Sequence, residues 1–296
     1  MKITNATLIE SFARYLADQG KQPATIESYG RDAENFCRYL ETHRIALTEI
    51  EAQILSYYQG YLAVTCHDKP NSIRRSIIGI RQFFRYLEAI RFIASSPFDQ
   101  LPLPPRIEDL PAALDPQSVA NLIRTSLSKN PPPKAERDAA ICCLLAFEGL
   151  KASELVRLKW SDYFANDVLP TLRIDPASPQ RSPRLLMLQA ETSLYLNRYS
   201  KALREWEHPF WHSEHNKNMM FIGFKGRHHL SPLPHLTRHG LKFMLYELGA
   251  KESLPHLSTE HLRHFAINFL LSQGLSSEQV MIHFGLRRLG NIAKYL

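Results

Sequence analysis

The stretch from Ser95 to Gln117 most constrains how this chain can fold. It contains six prolines and has no hydrophobic periodicity. Such a composition is typical of an extended, semi-rigid linker, because proline interrupts regular structure. We therefore predict a linker at 95–114 that separates one domain at 1–94 from a second at 115–296.

Apolar residues recur at helical spacing through most of the first domain. Helices are predicted to begin near Thr7, near Thr25 and near Glu49. A fourth helix begins at Asn71, and its apolar face steps by four, three, four and three residues through Ile73, Ile77, Ile80, Phe84 and Leu87. The N-terminal domain is therefore predicted to be a small all-helical bundle.

A stripe of arginines lies away from the apolar face of that fourth helix. It consists of Arg74, Arg81 and Arg85, with Arg75 beside it. A helix with one core face and one arginine face suits the phosphate backbone of DNA. A solvated face paired with Glu88 is the alternative, and the helix alone favours neither.

The C-terminal domain is predicted to be mainly helical with one small β-sheet. Two short apolar runs, VLPTLRI and RLLML, flank the loop DPASPQRSP and predict a β-hairpin, and MMFIGF is a candidate third strand. Helical patterns account for most of the remainder, at 116–123, 139–147, 153–159, 236–248, 258–272 and 277–283. The predicted fold class is therefore mainly α with a small β-sheet.

Charge and hydropathy narrow the class of partner. The chain has 36 Lys and Arg residues against 29 Asp and Glu residues, which gives a formal net charge of +7. This surplus favours an anionic partner, nucleic acid first, although many basic proteins bind no nucleic acid. Neither a signal-peptide-like run nor an apolar stretch of membrane-spanning length is found, so we expect a cytoplasmic protein without membrane association.

Metal chemistry is not indicated. The four cysteines lie in apolar helical patterns without CxxC spacing, which favours buried thiols over zinc ligands or disulfides. The histidines and glutamate of WHSEHN lack a further ligand at zinc-like spacing. We therefore predict no metal site.

The serial order of these features resembles the tyrosine recombinase family of phage integrases and Xer proteins. A helical bundle with a basic helix is followed by a proline-rich linker, GLKASELVRLKWSD, a hairpin, EHLRHFAINFLLSQG and a late tyrosine. The resemblance covers nearly the whole chain. It implies a SAM-like, core-binding N-terminal domain and a catalytic C-terminal domain, which together form a C-shaped clamp around duplex DNA.

The resemblance also implies a reaction. In this family a tyrosine attacks the scissile phosphate without a cofactor, giving a 3′-phosphotyrosyl link and a free 5′-hydroxyl. Two arginines hold the phosphate oxygens, because fixed guanidinium forks stabilise the extra negative charge of the transition state. Family members act as tetramers, so a homo- or hetero-oligomer on double-stranded DNA is expected, and a monomer off DNA is compatible with this.

Three residues match catalytic positions of the family. Arg263 in EHLRHF matches the second arginine, and Glu154 in KASEL matches the acid that supports the first arginine. Tyr295 lies nine residues after position 286, which is the spacing of the nucleophile. The resemblance therefore assigns these three residues to a catalytic site.

Other catalytic positions depart from the family pattern. Lys151 stands where the first arginine is expected, and its ammonium is a point charge rather than a planar fork. Glu260 stands at a histidine position, where the neighbouring His261 could partly substitute. Leu286 occupies the position of a histidine or tryptophan, and the hairpin tip has no lysine to protonate the leaving group. Much of the phosphate-handling set is thus substituted.

Further basic residues are candidate DNA contacts. Besides the arginine stripe, they are Arg181, Arg184, Lys225, Arg227, Arg238 and Lys242. The first two border the hairpin tip, and the next two lie in FKGRHH, which resembles the turn before a DNA-contacting helix of the family. The stripe, the last two residues and Arg263 would line one positively charged channel if the chain binds DNA.

Three functions stay open at this point. The first is an active but divergent recombinase that cleaves, exchanges and reseals strands at a specific duplex site. Alternatively, the chain is a catalytically inactive homologue that binds DNA as an accessory or regulatory protein, or a helical protein unrelated to DNA. The sequence specifies neither the target site nor a partner subunit.

Overall fold

The chain forms two compact units. The computed structural model of the protein describes residues 4–99, 101–107, 112–165, 169–176, 182–206, 208, 218–225, 231–286 and 290–293. The units comprise Met1–Asp109 and Leu110–Leu296, and the division falls inside the predicted linker at 95–114. The separate roles predicted for the two domains stay predictions.

The first unit is a bundle of helices. In chain order these are α1 (Asn5–Asp18), α2 (Pro23–Thr42), α3 (Ala52–Val64) and α4 (Pro70–Ala89). Thr4 caps α1 by accepting a hydrogen bond from the Thr7 amide. Helices α2 and α4 each begin with a proline, whose missing N–H is not needed in the first helical turn.

Aromatic rings form the centre of this bundle. The ring of Phe36 lies 4.9 Å from that of Tyr58 and 6.0 Å from that of Phe84, both in edge-to-face contact. Phe98, from the proline-rich segment, is completely buried and lies 4.6 Å from Phe84. The start of the proline-rich segment is therefore packed onto the bundle.

The second unit combines helices with small antiparallel sheets. Its elements are α5 (Pro116–Lys129), α6 (Lys134–Ala146), α7 (Ala152–Leu155), β1 (Tyr163–Phe164), β2 (Thr171–Ile174), β3 (Arg184–Met187), α8 (Ala190–Glu205), β4 (Gly223–Lys225), β5 (Ser231–Leu233), α9 (Arg238–Lys251), α10 (Thr259–Ser272), α11 (Ser277–His283) and α12 (Gly290–Ala293). One sheet has the order β1-β2-β3, and β4 pairs with β5 in another. The predicted fold class, mainly α with little sheet, is confirmed.

Local predictions were less accurate in three places. The MMFIGF strand is shorter than expected, since β4 begins only at Gly223 and pairs with β5. The helix expected at 153–159 ends at Leu155. Helix α8 was not predicted, although it buries Leu196, Tyr199 and Leu203 at helical spacing, because charged residues surround these positions in the sequence.

Helix α6 lies at the centre of the second unit. Every residue from Arg137 to Ala146 is buried, including the charged Arg137 and Asp138. These two charges pair with each other, with Arg137 Nε donating to Asp138 Oδ1 at 2.9 Å, and Arg137 Nη1 also donates to the Ile222 carbonyl at 2.8 Å. The helix is therefore a fixed support for the turn that follows it.

A smaller apolar cluster joins the last helices of the second unit. It consists of Ala266, Ile267, Leu270, Val280, Phe284 and Ile292. Its members come from α10, from α11 and the residue after it, and from α12. The cluster holds the end of α11 against α10 and thereby sets where Phe284 and its carbonyl lie.

We expect Gly79→Ala to destabilise the first unit, although alanine has a higher helix propensity than glycine. A Cβ at position 79 would lie 2.8 Å from Oδ2 and 3.1 Å from Cβ of Asp32, which is itself held by Arg75. Overpacking of this kind costs about 1–3 kcal/mol, against ~1 kcal/mol gained in helix propensity. Urea denaturation should therefore show a lower free energy of unfolding.

Gly30→Ala is the matched control, because Gly30 also lies inside a helix and a Cβ there would meet nothing within 4 Å. It should raise the free energy of unfolding by up to ~1 kcal/mol. A rise for both variants would contradict the close approach of α4 to Asp32.

Candidate functional site

The turn after α6 is built on Gly149. This residue has a φ of +60°, in the left-handed region that favours glycine. A Cβ at this position would lie 2.0 Å from Cε1 of Phe284 and 3.0 Å from Cβ of Ala266. Backbone conformation and the contact with the end of α11 therefore both require glycine here.

Glu154 holds the residues after this turn in place. It is 8% exposed, and its Oε2 accepts a hydrogen bond from the backbone amide of Lys151 at 2.9 Å. Arg184 of β3 donates from Nη1 to Oε1 and from Nη2 to Oε2, each at 3.0 Å. Burial would raise the pKa of Glu154, but the hydrogen bonds and charge of Arg184 outweigh burial and lower that pKa. The carboxylate is therefore ionised and held by a bidentate fork.

Two guanidinium groups connect the turn to the end of α11. Arg263, which is 5% exposed, donates to the Gly149 carbonyl and from Nη2 to the Phe284 carbonyl at 3.4 Å. Its guanidinium lies 4.6 Å from the centre of the Phe284 ring. Arg184 donates from Nε to the adjacent carbonyl, that of His283, at 3.0 Å. The two arginines thus bind consecutive carbonyl groups.

The structure brings several predicted catalytic residues together. Arg263 and Glu154 meet at the Gly149 turn, and Lys151 is the N-cap residue of α7 in the same turn. Leu286, at the position where the family has a histidine or tryptophan, packs against the apolar cluster of α10 to α12. The turn therefore carries most of the charge that the sequence assigned to the site.

Glu260 and His261 lie in the first turn of α10. Glu260 is exposed, whereas His261 is half-buried and its Nδ1 lies 2.8 Å from Oγ of Ser258. Burial, and then the charge of His264, lower the pKa of His261 below its usual value. A neutral imidazole near pH 7 is therefore favoured at this position.

The buried Glu148 and the partly buried His283 form a pair beside the turn that the sequence analysis did not assign to the site. Glu148 is 1% exposed, its Oε1 accepts from the Gln189 amide at 2.9 Å, and its Oε2 lies 4.0 Å from His283 Nε2. Burial raises the pKa of Glu148 to about 7 and lowers that of His283. The one sequence signal for Glu148 is a charge at the end of an otherwise apolar run.

Two arginines of the α4 stripe contact the proline-rich segment. Arg74 donates to the carbonyl of Pro104, and Arg81 donates to the carbonyl of Leu101. Burial lowers the pKa of Arg81, whose side chain is partly covered by this segment. These arginines therefore hold residues 101–107 along α4.

The other two arginines form ion pairs within the first unit. Arg85 Nε lies 3.1 Å from Oδ1 of Asp99, and Arg75 Nη1 lies 2.5 Å from Oδ2 of the buried Asp32. Both arginines remain about half exposed. Their partners differ from the Glu88 that the sequence suggested, and the DNA contact of all four arginines stays a prediction.

A basic cleft lies at the beginning of α9. It has a volume of about 340 Å³. Its lining includes Lys134, Lys225, His235 and His239 together with Glu247 and apolar side chains, and Lys134 pairs with Asp138. Of the predicted DNA contacts, Lys225 lines this cleft, and Arg238 and Lys242 are exposed on the neighbouring helix. The cleft offers cationic and imidazole groups next to a helix N-terminus, which favours anions.

Some predicted residues lie outside the described part of the chain. They are Tyr295, Arg181 and Arg227, together with the WHSEHN motif. Within the described ranges, no group of three His, Cys, Asp or Glu side chains is placed to hold a metal ion. In the same ranges, no helix combines the length and hydropathy needed to cross a membrane.

Similar sequences are found among integrases and recombinases. Residues 9–90 match the family described as Phage integrase, N-terminal SAM-like domain. The chain is 27% identical over 277 residues to tyrosine recombinase XerD of Listeria innocua serovar 6a, covering 92% of this chain and 88% of the relative. It is 26% identical over 270 residues to tyrosine recombinase XerC of Roseiflexus sp., covering 88% of this chain and 80% of the relative.

Solved structures share the fold. The XerH site-specific recombinase bound to difH substrate, in a pre-cleavage complex, has a TM-score of 0.68 at 15% identity, covering 99% of this chain and 81% of that one. A lambda integrase dimer bound to a COC′ core site has a TM-score of 0.69 at 13% identity. The match covers 98% of this chain and 76% of the integrase chain. At these identities the likeness is one of fold.

Glu148→Gln should remove a pH dependence of stability in the second unit. The folded-state pKa of Glu148 is about 7, above the 4.5 of an exposed glutamate, so the folded state holds a proton that the unfolded state releases between these values. The free energy of unfolding therefore falls as pH rises through this window. The variant should flatten that fall and gain on the order of 1–3 kcal/mol at pH 8.

Urea denaturation between pH 4 and pH 8 measures this effect. Glu191→Gln is the control, because Glu191 is exposed on α8 and should leave the fall unchanged. The buried His283 has a lowered pKa and contributes the opposite slope below its usual pKa, so it partly masks the Glu148 effect in the unmodified chain. If the free energy of unfolding varied with pH in the same way for Glu148→Gln and the unmodified chain, Glu148 would not be a buried carboxyl with a raised pKa.

Proposed function

We propose that this chain, which belongs to the Xer-like tyrosine recombinase family, binds duplex DNA at a specific site and breaks and rejoins its strands. The observation that carries the proposal is the Gly149 turn. Arg263 binds the Gly149 carbonyl and Glu154 binds the Lys151 amide, although the two side chains come from distant parts of the sequence. A guanidinium fixed in this way can stabilise the negative charge that develops on a phosphate during transfer.

The proposed reaction balances without a cofactor. The hydroxyl oxygen of Tyr295 attacks the scissile phosphorus, and the bond from phosphorus to the 5′ oxygen breaks. Tyrosine loses its proton and the 5′ oxygen gains one, which leaves a 3′-phosphotyrosyl link and a free 5′-hydroxyl. Attack of a 5′-hydroxyl on that link reverses the step and rejoins a strand.

Two side chains support this chemistry in the proposal. Arg263 is fixed by two backbone carbonyls, so it stabilises developing negative charge on a phosphate without having to reorganise. His261 is half-buried with a lowered pKa, so its neutral imidazole suits the acceptance of the tyrosine proton.

Double-stranded DNA is the proposed partner, and the protein is proposed to act on it as a homo- or hetero-oligomer. The basic cleft at Lys225 and the exposed Arg238 and Lys242 support contact with phosphates. The half-exposed Arg75 and Arg85 of α4 support a further contact by the first unit.

A DNA-binding protein without strand cleavage is the second candidate. It is favoured by Lys151, whose ammonium lacks a bidentate fork, and by Leu286, which packs into an apolar cluster and offers no hydrogen bond to a phosphate. In this alternative the protein has an accessory or regulatory role at the same DNA site.

A covalent trapping assay separates these functions. Duplexes retained by the chain from a random-sequence pool supply the site. A nick beside the cleavage point then lets the short fragment with the free 5′-hydroxyl dissociate, so that the strand cannot be rejoined. We expect a protein–DNA adduct that survives denaturation and is absent with Tyr295→Phe. Arg263→Lys should lower adduct formation by about 100-fold, because one fixed charge-stabilising fork is lost.

Tyr295→Phe is the matched control for folding and binding, since it removes one oxygen atom. Retention of a specific duplex without any adduct would leave the accessory role. Absence of specific retention would exclude both candidates.

The phosphate contacts of the basic cleft can be counted from salt dependence. We expect Lys225→Ala and Arg238→Ala each to reduce the slope of log affinity against log salt concentration by ~1, since each removes one phosphate contact. Lys201→Ala is the control, because Lys201 is exposed on α8 and pairs with Glu205. Equal slopes for all three variants and the unmodified chain would contradict DNA contact at the cleft.

A further inference from the structure

Arg184 retains unused hydrogen-bond donors. Its side chain is 19% exposed, and it donates from Nη1 and Nη2 to Glu154 and from Nε to the His283 carbonyl. A guanidinium has five N–H donors, of which these contacts use three. The remaining two have no partner in the described part of the chain.

Arg184 and Arg263 lie side by side. They bind the carbonyls of consecutive residues, His283 and Phe284, and each also binds the turn that contains Gly149 and Glu154. Burial lowers the pKa of His283, and the charges of both arginines lower it further, which agrees with both guanidinium groups lying close to this residue. The two form one cationic group.

The surroundings leave this group with surplus positive charge. Arg184, Arg263 and Lys151 each carry a positive charge, and Glu154 carries one negative charge. The adjacent Gly285 has no side chain, and a Cβ there would lie 3.3 Å from Nη1 of Arg184. A small anion that accepts charge-assisted hydrogen bonds is the ligand that such a site favours.

We propose that Arg184 binds a non-bridging oxygen of the scissile phosphate and supplies the second guanidinium of the site. Lys151 keeps a charge in this turn, but its ammonium has no planar fork for a bidentate contact. Arg184 adds a planar guanidinium from a different element, the strand β3. Glu154 occupies its paired Nη1 and Nη2 donors and orients it, and each of these nitrogens keeps one N–H for a single hydrogen bond to a phosphate oxygen. This inference rests on the proposed function and assigns Arg184 to the reacting phosphate.

The experiment compares two versions of the nicked duplex used for covalent trapping. One has a normal scissile phosphate, and the other has a methylphosphonate, in which a methyl group replaces one non-bridging oxygen and removes the negative charge. Arg184→Lys and Arg184→Ala are compared with Arg173→Ala. Arg173 is the matched control, because it lies on the neighbouring strand β2 and pairs with Asp162 and Asp175.

On the normal phosphate, we expect both Arg184 variants to lower adduct formation by about 100-fold and Arg173→Ala to leave it within about twofold. On the methylphosphonate, the deficit of Arg184→Ala should shrink to within about tenfold, because the charge that Arg184 stabilises is absent. An equal deficit on both substrates would show a purely structural role and overturn the proposal.

Arg184→Ala leaves the buried Glu154 carboxylate unpaired, so folding needs a separate check. Arg184→Lys retains a positive charge beside Glu154. The double variant Arg184→Ala/Glu154→Gln removes the negative charge of Glu154 together with its arginine partner. Thermal unfolding followed by circular dichroism identifies the variants that fold at the assay temperature. The folded variants are then compared on both substrates.

Failure of the proposed function is distinguishable from failure of this inference. If the unmodified chain forms no adduct, strand cleavage by this chain fails, and Arg184 is tested by equilibrium binding. Duplexes carrying one methylphosphonate at each successive position should reveal a position where the unmodified chain and Arg173→Ala lose affinity but a folded variant that carries Arg184→Ala does not. Identical profiles for all three proteins would overturn the inference.

Discussion

The contact between Gly149 and Phe284 is the constraint on which the candidate site depends. A side chain at position 149 would overlap the Phe284 ring, so only glycine allows the turn after α6 to approach the end of α11 this closely. The approach brings carbonyl groups of both segments within reach of Arg263. Buried carbonyl groups need hydrogen-bond donors. Arg263 supplies these donors and at the same time places its positive charge between the two segments. The packing of Gly149 against Phe284 therefore also fixes where the positive charge of Arg263 lies.

Periodicity predicted most of the long helices but not which side chains pair with one another. The apolar face of α4 was predictable, because residues such as Ile77 and Ile80 repeat at the spacing that buries one side of a helix. The pairing of Arg184 with Glu154 joins residues 30 positions apart, and no periodic signal relates them. The sequence also did not indicate that Glu148 is buried, since one charge at the end of an apolar helix is compatible with burial or with exposure to solvent. The motifs that resemble the catalytic positions of the family could thus be identified in the sequence, whereas the side-chain pairing around the Gly149 turn could not.

The arginine stripe of α4 illustrates the same limit. The sequence placed these residues on one face and favoured phosphates or solvent as their partners, yet Arg74 and Arg81 bind carbonyls of the proline-rich segment. That segment is not part of a helix or sheet, so its carbonyls need other donors, and a neighbouring row of guanidinium groups supplies them. One guanidinium has several donors, so binding to the chain and contact with a phosphate are compatible.

The departures from the family pattern therefore carry less weight against catalysis than their number suggests. A transition state responds to charge and geometry at the phosphate and not to the element that supplies them. Lys151 retains the charge of the missing arginine, and Arg184 adds a planar guanidinium beside the same turn. Leu286 is different, because it packs into an apolar cluster and can donate no hydrogen bond. A single lost donor of this kind costs about 10²–10³ in rate. Such a loss favours a slow reaction over the absence of one.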